Sequence, residues 1–344
     1  MKKKPTCFGA GLVALDVILN GSPLTLPKLS AGGSCGNVMS ILGFLGWDSY
    51  PVARLAANQA STELIHDLDR WHVHKDHLSV SDKGSTPIII HRILKDKNGN
   101  PVHRFEFRDP ETKSWLPQFK PITKDVASEV MEKHLIPEVF YFDRMNPGTF
   151  ELATYLKARG TIIFFEPSSA KDVQLFEKFK AVADIIKYSH DRIPDYRERY
   201  PSIECLLEIE TQGKNGLNFR SANSSNPDKW KLLKAFVLAE VKDAAGAGDW
   251  CSSGIIQQLC LKGHSEFLRT GVTRIESGLR YGQALGALNC LYDGARGLMY
   301  HYTARDLQKV VDQLITEKST HNLSLKTKPL IDISSGVLFS SLYK

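Results

Sequence analysis

The chain has 344 residues, with 44 Lys and Arg against 38 Asp and Glu and a net charge of +6. That length supports one large α/β core, while the mild charge, without basic runs interleaved with aromatics, argues against a nucleic-acid partner. No apolar run nears the roughly 20 residues of a membrane span, and six scattered cysteines without a C-x-x-C pair suit free thiols in a reducing, cytoplasmic setting.

In chain order, Lys2-Lys3-Lys4 reads as a solvated start, and the run from Phe8 to Leu19 as strand-forming, with Asp16 within it. Gly9-Ala10-Gly11 with Ala14 imitates a dinucleotide fingerprint. That fingerprint needs a full strand before it and a helix after it, and this stretch offers neither, so we set it aside. Next come Gly32-Gly33 and Asn37, then a helix with Val38, Ile41, Leu42 and Leu45 on one face, ended by Gly46. His72, His74 and His77 lie close in sequence; we read them as a solvated junction rather than metal ligands. Pro87 to Phe107 reads as two strands joined by a turn at Asn98-Gly99-Asn100.

Val139–Phe142, Thr161–Phe165 and Ile185-Ile186 are apolar runs suited to buried parallel strands. The helical pattern from Gly148 to Gly160 between the first two makes a βαβ unit, and so a parallel, doubly wound sheet. Leu206 to Phe219 reads as strand, turn and strand around Thr211, Gly213 and Gly216. Then comes Asp243-Ala244-Ala245-Gly246-Ala247-Gly248-Asp249, leading into a helix over Ser252–Leu259. Glycines and a helix N-terminus there suit an anion, and a carboxylate in the same turn suits proton transfer beside it. Its bland reading is an acid that merely caps a helix.

The last segment resembles the signature of the ribokinase-like, PfkB-type carbohydrate kinases, matching at Asp243, Gly246, Ala247, Gly248, Asp249 and Gly254. Trp250 and Cys251 depart from it. The Gly32-Gly33…Asn37…Gly46 segment is similar to the family's first signature, and Thr211-x-Gly213-x-x-Gly216 to its nucleotide-side turn.

The resemblance implies a ribokinase-like α/β fold, with a doubly wound, mostly parallel sheet and a small β-strand lid. The kinase domain would span residues 1–318, with lid strands from 17–30 and 86–107 and an extension of unassigned role at 319–344. It implies ATP-dependent transfer of a phosphoryl group to a hydroxyl of a sugar-like molecule. Asp249 would be the general base and Gly246, Ala247 and Gly248 the anion hole. Asp16, Gly32, Gly33 and Asn37 would bind the acceptor, and Thr211, Gly213, Gly216 and Asn289 the nucleotide. The family's Asn-x-x-Glu motif, which organises Mg²⁺, has no counterpart in Lys187–Arg192; Glu166 and Asp191 are the substitutes at hand. A K⁺ site would lie around Asp243, and a second copy could dimerise through the lid. Two other readings stay open: a nucleoside kinase, and a ligand-binding or regulatory module without turnover.

Overall fold

The computed structural model describes residues 3–18, 27–95, 101–331, 337 and 339–343. Among these residues the strands are β1 (Thr6–Ala10), β2 (Ala14–Ile18), β3 (Lys28–Gly32), β4 (Asp48–Leu55), β5 (Leu78–Val80), β6 (Ile88–Lys95), β7 (Pro101–Glu106), β8 (Val139–Phe142), β9 (Ile162–Phe165), β10 (Ile185–Ser189), β11 (Leu207–Thr211), β12 (Leu217–Ser221) and β13 (Lys231–Leu233). The helices are α1 (Gly33–Phe44), α2 (Gln59–Arg70), α3 (Lys124–Glu132), α4 (Pro147–Lys157), α5 (Val173–Val182), α6 (Tyr196–Arg199), α7 (Ala247–Leu259), α8 (His264–Phe267), α9 (Val272–Asn289), α10 (Gly297–His301) and α11 (Ala304–Glu317).

The large sheet runs β13-β12-β11-β10-β9-β8-β1-β4-β5. It is parallel from β11 through β5, while β12 and β13 are antiparallel additions at one edge. Side chains on a strand alternate between faces, so a strand covered on both faces must be apolar at every position. On β8, Val139 and Tyr141 join one core and Phe140 and Phe142 the other; Ile162 and Phe164 part from Ile163 and Phe165 in the same way on β9. The first core takes in Val38, Ile41 and Leu42 of α1, Ile255 of α7 and Leu285 of α9, and the second Val126 of α3, Leu152 of α4 and Phe176 of α5. The sheet is therefore doubly wound. α4 shows how sequence starts a helix: the Asn146 side chain accepts the Thr149 N–H at 3.0 Å, and Pro147 opens the first turn.

A second sheet, β3-β2-β6-β7, forms from the segment containing Asp16 and the hairpin after Pro87. The expected turn at Asn98–Asn100 and residues 19–26 lie outside the described residues. β1 stops at Ala10 and β2 starts at Ala14, so no helix follows Gly9-Ala10-Gly11. His77, expected to be solvated, is buried against Phe8 and Tyr50, and burial lowers its pKa to about 4. Among the described residues no three His, Cys, Asp or Glu side chains gather at metal-binding distance, and no helix is long and apolar enough to cross a membrane.

Beyond residue 318 the chain turns back on the body. The Thr320 hydroxyl accepts the Ala239 N–H at 2.8 Å, Leu330 N–H reaches Tyr300 O at 2.6 Å, and buried Leu342 gives its carbonyl to Ala60 N–H at 2.8 Å.

Candidate active site

A cleft of about 1110 Å³ opens between the small sheet and the ends of the parallel strands. This is where ligands collect in open α/β sheets. One wall is the start of α7. Gly246, the residue before the helix, has φ of 72°, and a Cβ there would lie 2.1 Å from Ala295 O, so only glycine fits. No side chain caps α7, and its first-turn residues line the cleft. The Ala247 N–H turns back to Ala244 O at 3.3 Å, so Gly246 and Gly248 are the better placed of the three expected anion donors.

Asp249 sits in that first turn. Its Oδ2 accepts from Asn37 Nδ2 of α1 at 2.7 Å, across 212 residues of sequence. Burial, then the neighbouring Glu166, raises the Asp249 pKa to about 8, against the opposing pull of Asn37 and Lys187. Asp16 faces the same cleft from the small sheet. Burial raises its pKa to about 7, with Arg296 pulling the other way. Arg296 is itself paired with Asp67 of α2, whose carboxylate also takes the Ala31 N–H at 2.8 Å.

Thr211, Gly213 and Gly216 line the far end of the cleft with Phe236 and Leu238. Gly216 has φ of 100°, and a Cβ on it would meet Leu233 O at 2.2 Å. Gly33, Glu166 and Asp191 also reach the cleft, so twelve of the expected residues gather in one place: Asp16, Gly33, Asn37, Glu166, Asp191, Thr211, Gly213, Gly216, Gly246, Ala247, Gly248 and Asp249.

Three expected residues do not line it. Gly32 lies beneath Asp16, where a Cβ would fall 2.0 Å from Oδ2. Asn289 is fully buried and spends its amide on Ala245 O, Gly294 O and the Leu298 N–H. The Asp243 carboxylate accepts the Ala245 and Gly294 N–H groups at 2.7 and 2.8 Å. Both residues tie the loop before α7 to the loop after α9, behind the anion turn.

The floor of the cleft holds what sequence reading passed over. Lys187 of β10 points its ammonium at Glu166 Oε1, 2.5 Å away, and its side chain is only 2% exposed. Glu166 Oε2 accepts from Tyr141 OH at 3.1 Å and from Ser252 Oγ at 2.5 Å. Burial is the largest single influence and works against the Lys187 charge, but Glu166, Cys251 and Asp249 together hold the pKa above the ordinary lysine value. A lysine inside the apolar run Ile185-Ile186-Lys187-Tyr188 was the sequence signal available. Arg144 also lines the cleft, bonded to Asp143 Oδ2 at 2.6 Å. Of the two expected metal-binding carboxylates, Glu166 accepts from three protein donors, and Asp191 is exposed where it lines the cleft.

The sequence matches no family model and no curated protein. Solved structures do match. A fructokinase from Xylella fastidiosa with bound ATP superposes with a TM-score of 0.67 at 17% identity, over 91% of this chain and 99% of its own. The fold is ribokinase-like. An aminoimidazole riboside kinase from Salmonella enterica, complexed with aminoimidazole riboside and an ATP analogue, gives a TM-score of 0.63 at 15% identity over 89% of this chain and 99% of its own. A Burkholderia thailandensis nucleoside kinase in complex with inosine gives 0.63 at 15% identity over 93% and 99%. On the ribokinase-like frame the uncapped helix start and the small sheet face each other across the cleft.

Proposed function

We propose that this protein is a carbohydrate kinase that transfers the γ-phosphoryl group of ATP to a hydroxyl of a sugar or sugar-bearing small molecule. The observation that carries the reading is the Asn37–Asp249 hydrogen bond, which joins α1 to the first turn of the uncapped α7 inside one cleft. Structural neighbours named as sugar and nucleoside kinases support the same chemistry.

In this reading the nucleotide lies along Thr211, Gly213 and Gly216, with its terminal phosphate at Gly246 and Gly248. Asp16 and Asn37 hold the acceptor. Its hydroxyl oxygen attacks the γ-phosphorus and its proton passes to Asp249. The bond to the bridging oxygen breaks, and that electron pair leaves on ADP. The N–H groups at the turn are already oriented, so they stabilise the developing charge without reorganising.

Asp249 must be ionised to accept a proton, so kcat/KM should rise with pH and level off above about 8. A nucleoside acceptor is the second reading, favoured by the apolar face that Ile89, Phe105 and Phe107 of the lid side present to the cleft. The test is ATP turnover with a panel of sugars and nucleosides, in the wild type and in Asp249→Asn. The variant should lose about 10²–10⁴ in rate while still binding nucleotide. Near-normal turnover would remove Asp249 from the role, and ligand binding with no turnover by the wild type would favour the non-catalytic module.

A further inference from the structure

Lys187 has more donors than partners. An ammonium carries three protons, and the hydrogen bond to Glu166 uses one. Among the described residues Nζ has no other hydrogen-bonding partner. Its other two N–H groups are therefore available to an acceptor in the cleft that Lys187 lines. The place where they sit supplies the chemistry. Lys187 lines the cleft with Gly246 and Gly248, and its Nζ lies 3.8 Å from where a Cβ on Gly248 would be. Glu166, fixed by Tyr141 and Ser252, holds the ammonium there from behind.

We infer that Lys187 is a catalytic residue that donates to a non-bridging oxygen of the transferring phosphoryl group, with Glu166 positioning it. This rests on the kinase reading of the same cleft. No bond to Lys187 forms or breaks: the acceptor oxygen bonds phosphorus, the bridging bond breaks toward ADP, the proton goes to Asp249, and Lys187 keeps its charge throughout. A fixed cation aimed at an anion is worth most in such a water-poor place.

The test compares wild type with Lys187→Met, Lys187→Arg and Glu166→Gln. Lys187→Met should lower kcat about 10²–10³-fold. Lys187→Arg should recover part of that loss, and Glu166→Gln should lose less than Lys187→Met because the ammonium remains. Lys187 pulls the Asp249 pKa down, so in Lys187→Met the rise of kcat/KM should move to higher pH. That shift reads the charge of Lys187 beside Asp249, and the phosphate contact itself is read separately by anion binding. Calorimetric binding of tripolyphosphate with EDTA present should weaken at least tenfold in Lys187→Met and separates the two readings, because it needs no acceptor. If the wild type transfers no phosphoryl group but the tripolyphosphate loss is seen, the kinase reading fails and the anion contact stands. Equal tripolyphosphate affinity, or an unshifted pH profile in a folded Lys187→Met, overturns the role of Lys187. If Lys187→Met does not fold, Glu166→Gln decides: unchanged kcat and tripolyphosphate affinity overturn it, and a loss in both supports it.

Discussion

Two buried acid–base clusters lie within the same large sheet and differ in one respect. On β11 and β12, Glu208 and Arg220 are both 0% exposed, and Arg220 Nε donates to Glu208 Oε2 at 2.6 Å. Three of the four remaining guanidinium N–H groups go to Pro201 O, Tyr200 O and Ser202 O, at 2.6, 2.7 and 3.2 Å. That cluster is nearly closed, with four of the five N–H groups placed on protein oxygens. The cleft cluster of Glu166, Lys187 and Asp249 is open: Lys187 has N–H groups to spare, and Asp249 carries a carboxyl that burial holds near neutrality. A nearly saturated pair fixes one chain conformation, whereas an unsaturated one is poised for something that arrives.

If that contrast is right, the open cluster should cost stability. The largest effect should come from Asp249→Asn. Asp249 ionises near 3.8 in an unfolded chain and near 8 in the folded one, so the folded state holds a proton that the unfolded state has lost between those values. Stability therefore falls as pH rises through that window, and the full cost is present above about pH 8. Asparagine cannot ionise, so Asp249→Asn should be more stable than wild type by about 4–6 kcal/mol at pH 9 and by little at pH 4. Urea midpoints at the two pH values measure this; no gain at pH 9 would refute it.

The nearly closed cluster should answer with the opposite sign. Arg220→Met leaves Glu208 buried and uncompensated and strips three carbonyls of a donor, which should cost about 3–5 kcal/mol. The double variant Arg220→Met, Glu208→Gln should regain a good part of this, since the stranded charge is gone. Turnover per folded molecule should stay unchanged in both. A drop in kcat without a shift in the urea midpoint would break the contrast.

How much of this was legible in the sequence follows from what each signal reports. Apolar runs at Val139–Phe142 and Thr161–Phe165 disclosed strands buried on two faces, because a strand with one wet face cannot be apolar throughout. The glycine turn before Asp249 and the pair before Asn37 were legible for a similar reason: left-handed or crowded backbone excludes side chains, and Gly246 and Gly32 have no room for a Cβ. Direction was not legible. Asn289 and Asp243 have the right polar groups for ligands, but packing turns them to loop carbonyls and N–H groups behind the turn. Lys187 was missed for the converse reason. The Lys187–Arg192 stretch is distinguished in sequence by the amide and acid it lacks, and the lysine's partner, Glu166, lies far off in sequence, just after β9.

The smallest effect belongs to Ser252, and it tests whether the open cluster is held from behind. Ser252 lies one turn into α7, and its single hydroxyl proton is shared between Glu166 Oε2 at 2.5 Å and Gly248 O at 3.1 Å. It thus links the carboxylate that holds Lys187 to the backbone of the anion turn. Ser252→Ala removes one of three donors to Glu166 and should cost about 1 kcal/mol of stability. Tyr141 OH stays on Glu166, so the pair should persist in a looser arrangement. The rate should then fall several-fold, on the order of the same 1 kcal/mol in the barrier, with nucleotide KM nearly unchanged. Loss of KM with kcat intact would instead place Ser252 in nucleotide binding. An unchanged rate would mean that Lys187 keeps its aim without Glu166 being braced, and the distinction between the two clusters would then rest on Lys187 and Asp249 alone.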